Sequence, residues 1–325
     1  MAIGKTAMAS STPSSPDRNA IQRTAAAALQ SKSVTVEKLD GYTFRTYRLR
    51  TSERFFYVLR CRPSFNIRLL RHEEGWIETE AGTLQSIGGR ADIFTPRLIK
   101  YQNTTLHIGS FYLITGPFTG SILADVEPTL STHALASIDK SLGQYVRRLS
   151  MMPGEVFGPV RQSQGFPGFR SWAKAFAFLL ESIMRDGEDA LISLPYDHVR
   201  DLVRRHRSSL EKITQPKLVL LELSADRNVV VDVKAEQVTG LLDYSTAIWG
   251  DPFMSDCFYK PTASFAEGFG KLPNQSADER IRQYLYVVYH SMLAIVRQFY
   301  RPSEDENEMQ ARRDFTTAVR QLSGQ

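Results

Sequence analysis

Asn228 and Asp243 are the residues in this chain whose types and spacing most directly suggest chemistry. Asn228 closes a polar loop in "PKLVLLELSADRNVVVD", residues 216–232, and Asp243 ends the apolar run of "VTGLLDY". An amide oxygen and a carboxylate at the ends of short antiparallel returns suit Mg²⁺, which takes oxygen ligands and completes its shell with water and phosphate oxygens. Taken singly, Asn228 reads as a turn residue and Asp243 as a helix or turn cap. Together they point to a metal-assisted phosphate site. Glu222, at the start of the same loop, supplies a carboxylate where phosphoryl transfer needs a group to orient the attacking hydroxyl. Asp226, two residues before Asn228, is read as shaping the loop.

These residues need strands to hold them. From Val34 onward "SVTVEKL", "FRTYRLR" and "RFFYVLRCR" are strand-like, separated by Asp40-Gly41 and Thr51-Ser52-Glu53. That pattern predicts a three-stranded antiparallel meander over 34–62. A helix is expected in "HEEGWIETEAGTLQSIGG", with Trp76, Ile77, Ala81, Leu84 and Ile87 at helical spacing and a Gly-Gly stop. "PRLIKYQ" and "LHIGSFYLITGPF" supply two further strands. Beyond Gly120 the pattern turns mainly helical: "HALASIDKSLGQYVRRLSMM", "RSWAKAFAFLLESIMRDG" with Ser171 as its cap, "YDHVRDLVRRHRSSLEKI", and a long helix near 277–300. Between the third and the last of these lies a hairpin over 216–232 and a strand at "VTGLLDY". The order predicts an α+β, two-lobed, protein-kinase-like fold: a five-stranded antiparallel sheet with one helix, then a mainly helical lobe with an embedded β-hairpin. The expected divisions are a disordered tail over 1–33, a nucleotide-binding lobe over 34–118 and a helical lobe over 119–325.

The motifs carry this further. "YVLRCRPSFNIRLLRHEEGWIETEAGTL", "FYLITGPFTG" and, most specifically, "VTGLLDYSTAIWGDPFMSD" resemble the aminoglycoside phosphotransferase and choline-kinase-like family, above all its fungal branch. The resemblance covers roughly residues 34–300. It implies ATP and Mg²⁺ as cofactors, Asn228 and Asp243 as metal ligands, Glu222 as the catalytic carboxylate, and Arg60, Glu80 and Gly116 on the nucleotide side. Arg60 stands where the family carries a phosphate-clamping lysine, with Glu80 as its expected partner and Glu78 as the alternative. Gly116 belongs to the segment that resembles the family's hinge. The catalytic loop is altered. Leu220, Leu221 and Glu222 replace the usual His-Gly-Asp, and the stretch from acid to Asn228 is one residue longer than usual. Arginine keeps the charge of lysine but not its geometry, and Glu222 moves the carboxylate by a methylene. Misplacement by about 1 Å can cost on the order of 100-fold in rate. Two functions follow: a phosphotransferase acting on a small-molecule hydroxyl, possibly in secondary metabolism as the fungal relatives suggest, or a pseudokinase that binds without turnover. Recruitment of the cleft for other chemistry is a third.

Composition narrows the classes. The 325 residues carry 40 Lys and Arg against 35 Asp and Glu, a net charge of +5 with the two signs interleaved. No basic stripe suggests a nucleic-acid partner. No run of about 18 apolar residues predicts a membrane span. Cys61 and Cys257 stand far apart and the six histidines show no ligand spacing, so neither a disulfide framework nor a zinc site is expected. A reducing, cytoplasmic setting follows from that usage. The N-terminal stretch has Asp17 as its sole acid and lacks the apolar core of a secretory signal, and its "GKT" at 4–6 has no upstream glycine or strand. The partner expected is a small-molecule acceptor. Its identity and the oligomeric state leave no mark in the sequence.

Overall fold

The structure is a computed structural model describing residues 16–51, 55–63, 66–88, 95–160, 167–223, 226–270, 272–273, 275–302 and 307–324. The "GKT" at 4–6, Ser52-Glu53 of the second turn and Gly89 of the Gly-Gly stop lie outside the described residues. The chain divides into two compact units, Met1–Asn66 with Leu98–Pro117, and Ile67–Arg97 with Phe118–Gln325.

The first unit opens with helix α1, Arg18–Ala28, followed by strands β1 (Thr35–Leu39), β2 (Arg45–Arg50) and β3 (Phe55–Cys61). These three form the expected antiparallel meander, with Thr35 opposite Arg50 and Thr46 opposite Arg60. Helix α2 (Trp76–Ile87), strand β4 (Arg97–Gln102) and strand β5 (Tyr112–Thr119) come next. The sheet order is β1-β2-β3-β5-β4, five strands as expected. The strand expected from Leu106 begins later, at Tyr112.

Two expectations change here. The tail assigned to 1–33 contains α1, because Ile21 and Ala25, one helical turn apart, are fully buried with Val34, Val36, Leu49, Leu59 and Ile114 in one apolar cluster. Asp17 caps the helix by accepting from the Asn19 amide, and Arg18 and Gln22 donate to the carbonyls of Val36 and Val34. An alanine-rich run has the highest helix propensity of any composition, and an open sheet face supplies the burial that a short helix needs. The second change concerns α2, which groups with the second unit. All five of its predicted apolar positions are buried.

The second unit continues with β6 (Ser121–Ile122), a one-turn α3 (Leu123–Val126), α4 (Thr132–Leu149), β7 (Gly158–Pro159), α5 (Trp172–Asp189), α6 (Tyr196–Arg205), α7 (Arg207–Glu211) and β8 (Lys217–Leu220). It ends with β9 (Val229–Asp232), β10 (Gln237–Leu241), β11 (Ala247–Gly250), α8 (Ala263–Phe269), α9 (Ala277–Tyr300) and α10 (Glu308–Ser323). The hairpin expected over 216–232 is not formed by its two strands. Strand β8 pairs with β11, whereas β9 pairs with β10 and β6. The true hairpin is β9–β10, whose short turn after Asp232 is tied by the Asp232 carboxylate to the amides of Lys234 and Ala235. The long loop after β8 is free to lead into a different sheet.

The single helix expected from Tyr196 is interrupted at His206, whose backbone leaves the helical region and whose ring meets the Leu322 carbonyl at 2.8 Å. Ser171 stands at the N-cap of α5 but makes no side-chain cap bond. Trp172, Phe176, Leu180, Ile183, Tyr289, Met292 and Val296 pack in one core between α5 and α9. Helix α10, absent from the expected elements, adds Phe315, Ala318 and Leu322 to that core.

If α1 covers the sheet as described, Ile21→Ala should cost about 2–5 kcal/mol in chemical denaturation of the full chain. A change below about 0.5 kcal/mol, the range of surface substitutions, would show that the helix contributes no core.

Candidate functional site

Strands β9 and β10 set Asn228 and Asp243 side by side. Val229 pairs with Leu241 at the end of the hairpin, and the next residues outward are Asn228 and Leu242. The Leu242 amide donates to the Asn228 carbonyl at 2.9 Å, and the Asp243 amide donates to Asn228 Oδ1 at 2.7 Å. Asp243 Oδ1 in turn accepts from the Ser245 amide at 2.7 Å. Asn228 is buried and Asp243 half-buried. The two residues that spacing alone brought together are therefore joined by a direct bond.

The junction sets two kinds of oxygen ligand side by side. A side-chain carbonyl has two lone pairs and a carboxylate roughly four acceptor positions, so both are donors of the kind a hard cation takes. Two protein oxygens fit Mg²⁺, which keeps waters and takes phosphate oxygens for the rest. Among the described residues no group of three or more His, Cys, Asp or Glu is arranged to hold a metal.

Glu222 follows β8. Leu221 and Glu222 are tied to Thr246, the latter through Thr246 Oγ1 at 3.3 Å. Asp256 closes the segment from the other side: its amide donates to the Leu221 carbonyl at 3.0 Å and its Oδ1 accepts from the Leu223 amide at 2.8 Å. The Glu222 side chain runs to α9, where Arg297 donates to its Oε2 at 2.6 Å. The pair is partly open, with side-chain exposures of 29% and 20%. Leu223, the position that stands at the family's shorter spacing to Asn228, is apolar and 1% exposed. Asp226 is exposed, and its carboxyl is raised by partial desolvation and by the neighbouring Glu127.

Sequence reasoning missed Arg297 and His72. The segment between β3 and α2 is strapped to α5 and α9. Arg71 donates to Asp186 at 2.5 Å and to Asp189 at 2.6 Å, while Arg301 makes a two-pronged bond to Glu73 at 2.5 and 2.7 Å. Burial alone would raise the Glu73 carboxyl, but the Arg301 bond and the charges around it hold it below the usual range. His72, carried by this strap, lies within electrostatic reach of Glu222 and Arg297. Burial pushes its imidazole down, against the pull of Glu73 and Glu222, so it is neutral at pH 7. The Arg-rich run "RLLRHEE" was the available signal.

Arg60 and Gly116 lie in the first unit and Glu80 in the second. Arg60 is 1% exposed, with its guanidinium 5.4 Å from the Phe44 ring centre. Glu80 is fully buried on α2. Gly116 has φ +136°, and a Cβ there would stand 2.7 Å from the Tyr57 ring, so backbone packing on β3 suffices to demand glycine.

A profile of the phosphotransferase enzyme family matches residues 35–254, about two thirds of the chain. The chain belongs to this family. Solved structures similar to it include a thermostable mutant of aminoglycoside phosphotransferase APH(4)-Ia in ternary complex with AMP-PNP and hygromycin B. The TM-score is 0.65 at 16% identity, covering 94% of this chain and 100% of that one. The apo form of a thermostable mutant of the same enzyme gives 0.64 at 17% identity, over 90% and 97%. A streptomycin–ATP complex of APH(2")-IIa gives 0.53 at 13%, over 92% and 96%. These likenesses show the kinase-like α+β fold. No curated protein matches the sequence. Arg297 and Arg301 fall beyond the matched span.

The motif that marked the family, "WGDP", has a structural job. Asp251 is 1% exposed; its Oδ2 accepts from Arg282 at 3.0 Å and from Tyr286 at 2.7 Å, and its Oδ1 from the Phe253 amide at 3.1 Å. Removing one partner of such a buried pair is expected to cost about 3–5 kcal/mol. Asp251→Ala should lose that much in urea denaturation and Tyr286→Phe about 1 kcal/mol. Equal, small losses for both would mean that the network does not support the fold.

Proposed function

We propose that this protein binds a magnesium–nucleotide complex through Asn228 and Asp243 and transfers phosphate from ATP to a hydroxyl of a small molecule. The observation that carries the reading is the bond between the Asp243 amide and Asn228 Oδ1, which fixes an amide oxygen beside a carboxylate. Bound there, Mg²⁺ would neutralise phosphate charge. Glu222 would orient the acceptor hydroxyl. Arg297 fixes that carboxylate in direction, and one of its two oxygens is engaged by the arginine. Phosphoryl transfer depends more on position and charge than on base strength, so a held carboxylate is adequate for that task. Arg60, Glu80 and Gly116 are proposed as nucleotide-binding residues on the match of their segments to the family.

A second reading has its own support. Leu223, not an acid, stands at the family's usual distance from Asn228, and Glu222 is committed to α9. On that reading the protein binds nucleotide without transfer and serves as a binding or scaffold protein.

Thermal denaturation decides the shared premise. A ligand at about 100 times its dissociation constant adds about 2.7 kcal/mol of stability, so millimolar Mg-ATP should raise the unfolding temperature. EDTA or Asp243→Asn, which keeps the turn bond to Ser245, should remove the rise. No rise in the native chain, or a rise that survives both changes, overturns the metal assignment. Where nucleotide binds, transfer of labelled phosphate that falls at least about 100-fold in Glu222→Gln supports the enzyme. No transfer in the native chain supports the pseudokinase.

A further inference from the structure

A cavity of about 540 Å³ opens in the second unit between the strap before α2 and one face of α5, lined among others by His72, Thr79, Pro159, Phe178, Ser182 and Arg185. Three features say what it would hold. Its size falls in the range of small-ligand sites. Its wall is mostly apolar, and Phe178, 47% exposed, offers an aromatic face to it. The charges around it are committed to one another: Arg71 to Asp186 and Asp189, Arg185 to Glu181, and Glu181 to both prongs of Arg200. An ionic ligand would have to break one of these pairs.

The polar exception is His72. Both of its ring nitrogens are buried and have no hydrogen-bond partner among the described residues. Buried polar groups in proteins are nearly always paired, so an imidazole left this way beside a cavity points to a missing group. A neutral imidazole offers one donor and one acceptor, the complement of a hydroxyl or of a carbonyl with a neighbouring donor. His72 itself belongs to the cavity lining.

We propose that this cavity binds a neutral small molecule with an aromatic or other apolar body and a hydroxyl or carbonyl group, His72 being its hydrogen-bonding residue. Joined to the phosphotransferase reading, on which this last step rests, the molecule is the acceptor, since the strap that carries His72 is held through Glu73 by Arg301, four residues from the arginine that holds Glu222. The binding site itself does not depend on that reading.

The experiment uses the full chain with 2-naphthol and naphthalene as probes, followed by saturation-transfer NMR and equilibrium dialysis at pH 7. Saturable 2-naphthol binding is expected. His72→Phe should weaken it about 5–10-fold, the worth of one hydrogen bond, and leave naphthalene unchanged. Ser182→Trp and the more exposed Phe178→Glu should each weaken both probes, and kanamycin, a polycation, should displace neither. Asp243→Asn should bind 2-naphthol like the native chain, so a failure of nucleotide binding leaves this result standing. No saturable 2-naphthol binding overturns the proposal. So does binding undiminished in both cavity variants, an equal loss of the two probes in His72→Phe, or displacement by kanamycin.

Discussion

The position of the loop that carries Glu222 depends on one buried carboxylate, Asp251. It follows strand β11 and is held by Arg282 and Tyr286 of α9, while the Tyr286 hydroxyl also accepts from the Trp172 indole of α5 at 2.9 Å. Arg282 continues the chain to the Ser209 carbonyl at 3.1 Å. A charge this deep is tolerable only when its lone pairs are satisfied, and here the partners come from α9 and its own turn. Strand β11 is therefore pinned to α5 and α9. Because β11 pairs with β8 from Ala247–Leu220 to Gly250–Lys217, the start of the loop that carries Glu222 is fixed as well. Asp256, five residues on, completes the hold by bonding the Leu223 amide. The sequence motif that most resembles the family thus acts first through architecture and only then through chemistry.

Two arginines at the C-terminal end of α9 add to this frame. Arg297 in its last turn engages Glu222, and Arg301, just past the helix, engages Glu73. The Arg301–Glu73 pair has side-chain exposures of 13% and 10%, unlike the open pairs on α6 and α7. Exposed pairs contribute little, whereas a shielded, two-pronged arginine–carboxylate bond is both stronger and directional. Its effect is to fix the strap that carries His72, with Leu70 fully buried beneath it.

Much of this was legible in the residues. Period-two alternation marked the β1–β3 meander, and the spacing of Trp76, Ile77, Ala81, Leu84 and Ile87 marked α2, because local periodicity reports which face is buried. The convergence of Asn228 and Asp243 was readable for a similar reason: a short β return leaves few places for its flanking residues to go. The failures share a different cause. Ile21 and Ala25 carried a helical period inside a stretch whose composition resembled a tail, and only the sheet they cover makes that period count. The pairing of β8 with β11 instead of β9 is a choice between partners that alternation does not encode. Arg297 lies 75 positions from Glu222 and Asp186 115 from Arg71. No spacing rule reaches across such distances, so the strap, His72 and the cavity emerge only in three dimensions.

The loop after β8 is best understood through the direction in which the Glu222 carboxylate points. Successive side chains along extended backbone alternate in direction, so moving an acid by one position relocates it to another face instead of displacing it slightly. Here Leu223 turns into the protein and Glu222 turns to α9. Had the acid stood at 223, its burial would have demanded partners that an apolar pocket does not supply. At 222 it finds Arg297 and partial exposure. An acceptor that used this carboxylate would therefore have to approach along the α9 side, where the strap stands, and not along the face that Leu223 now lines.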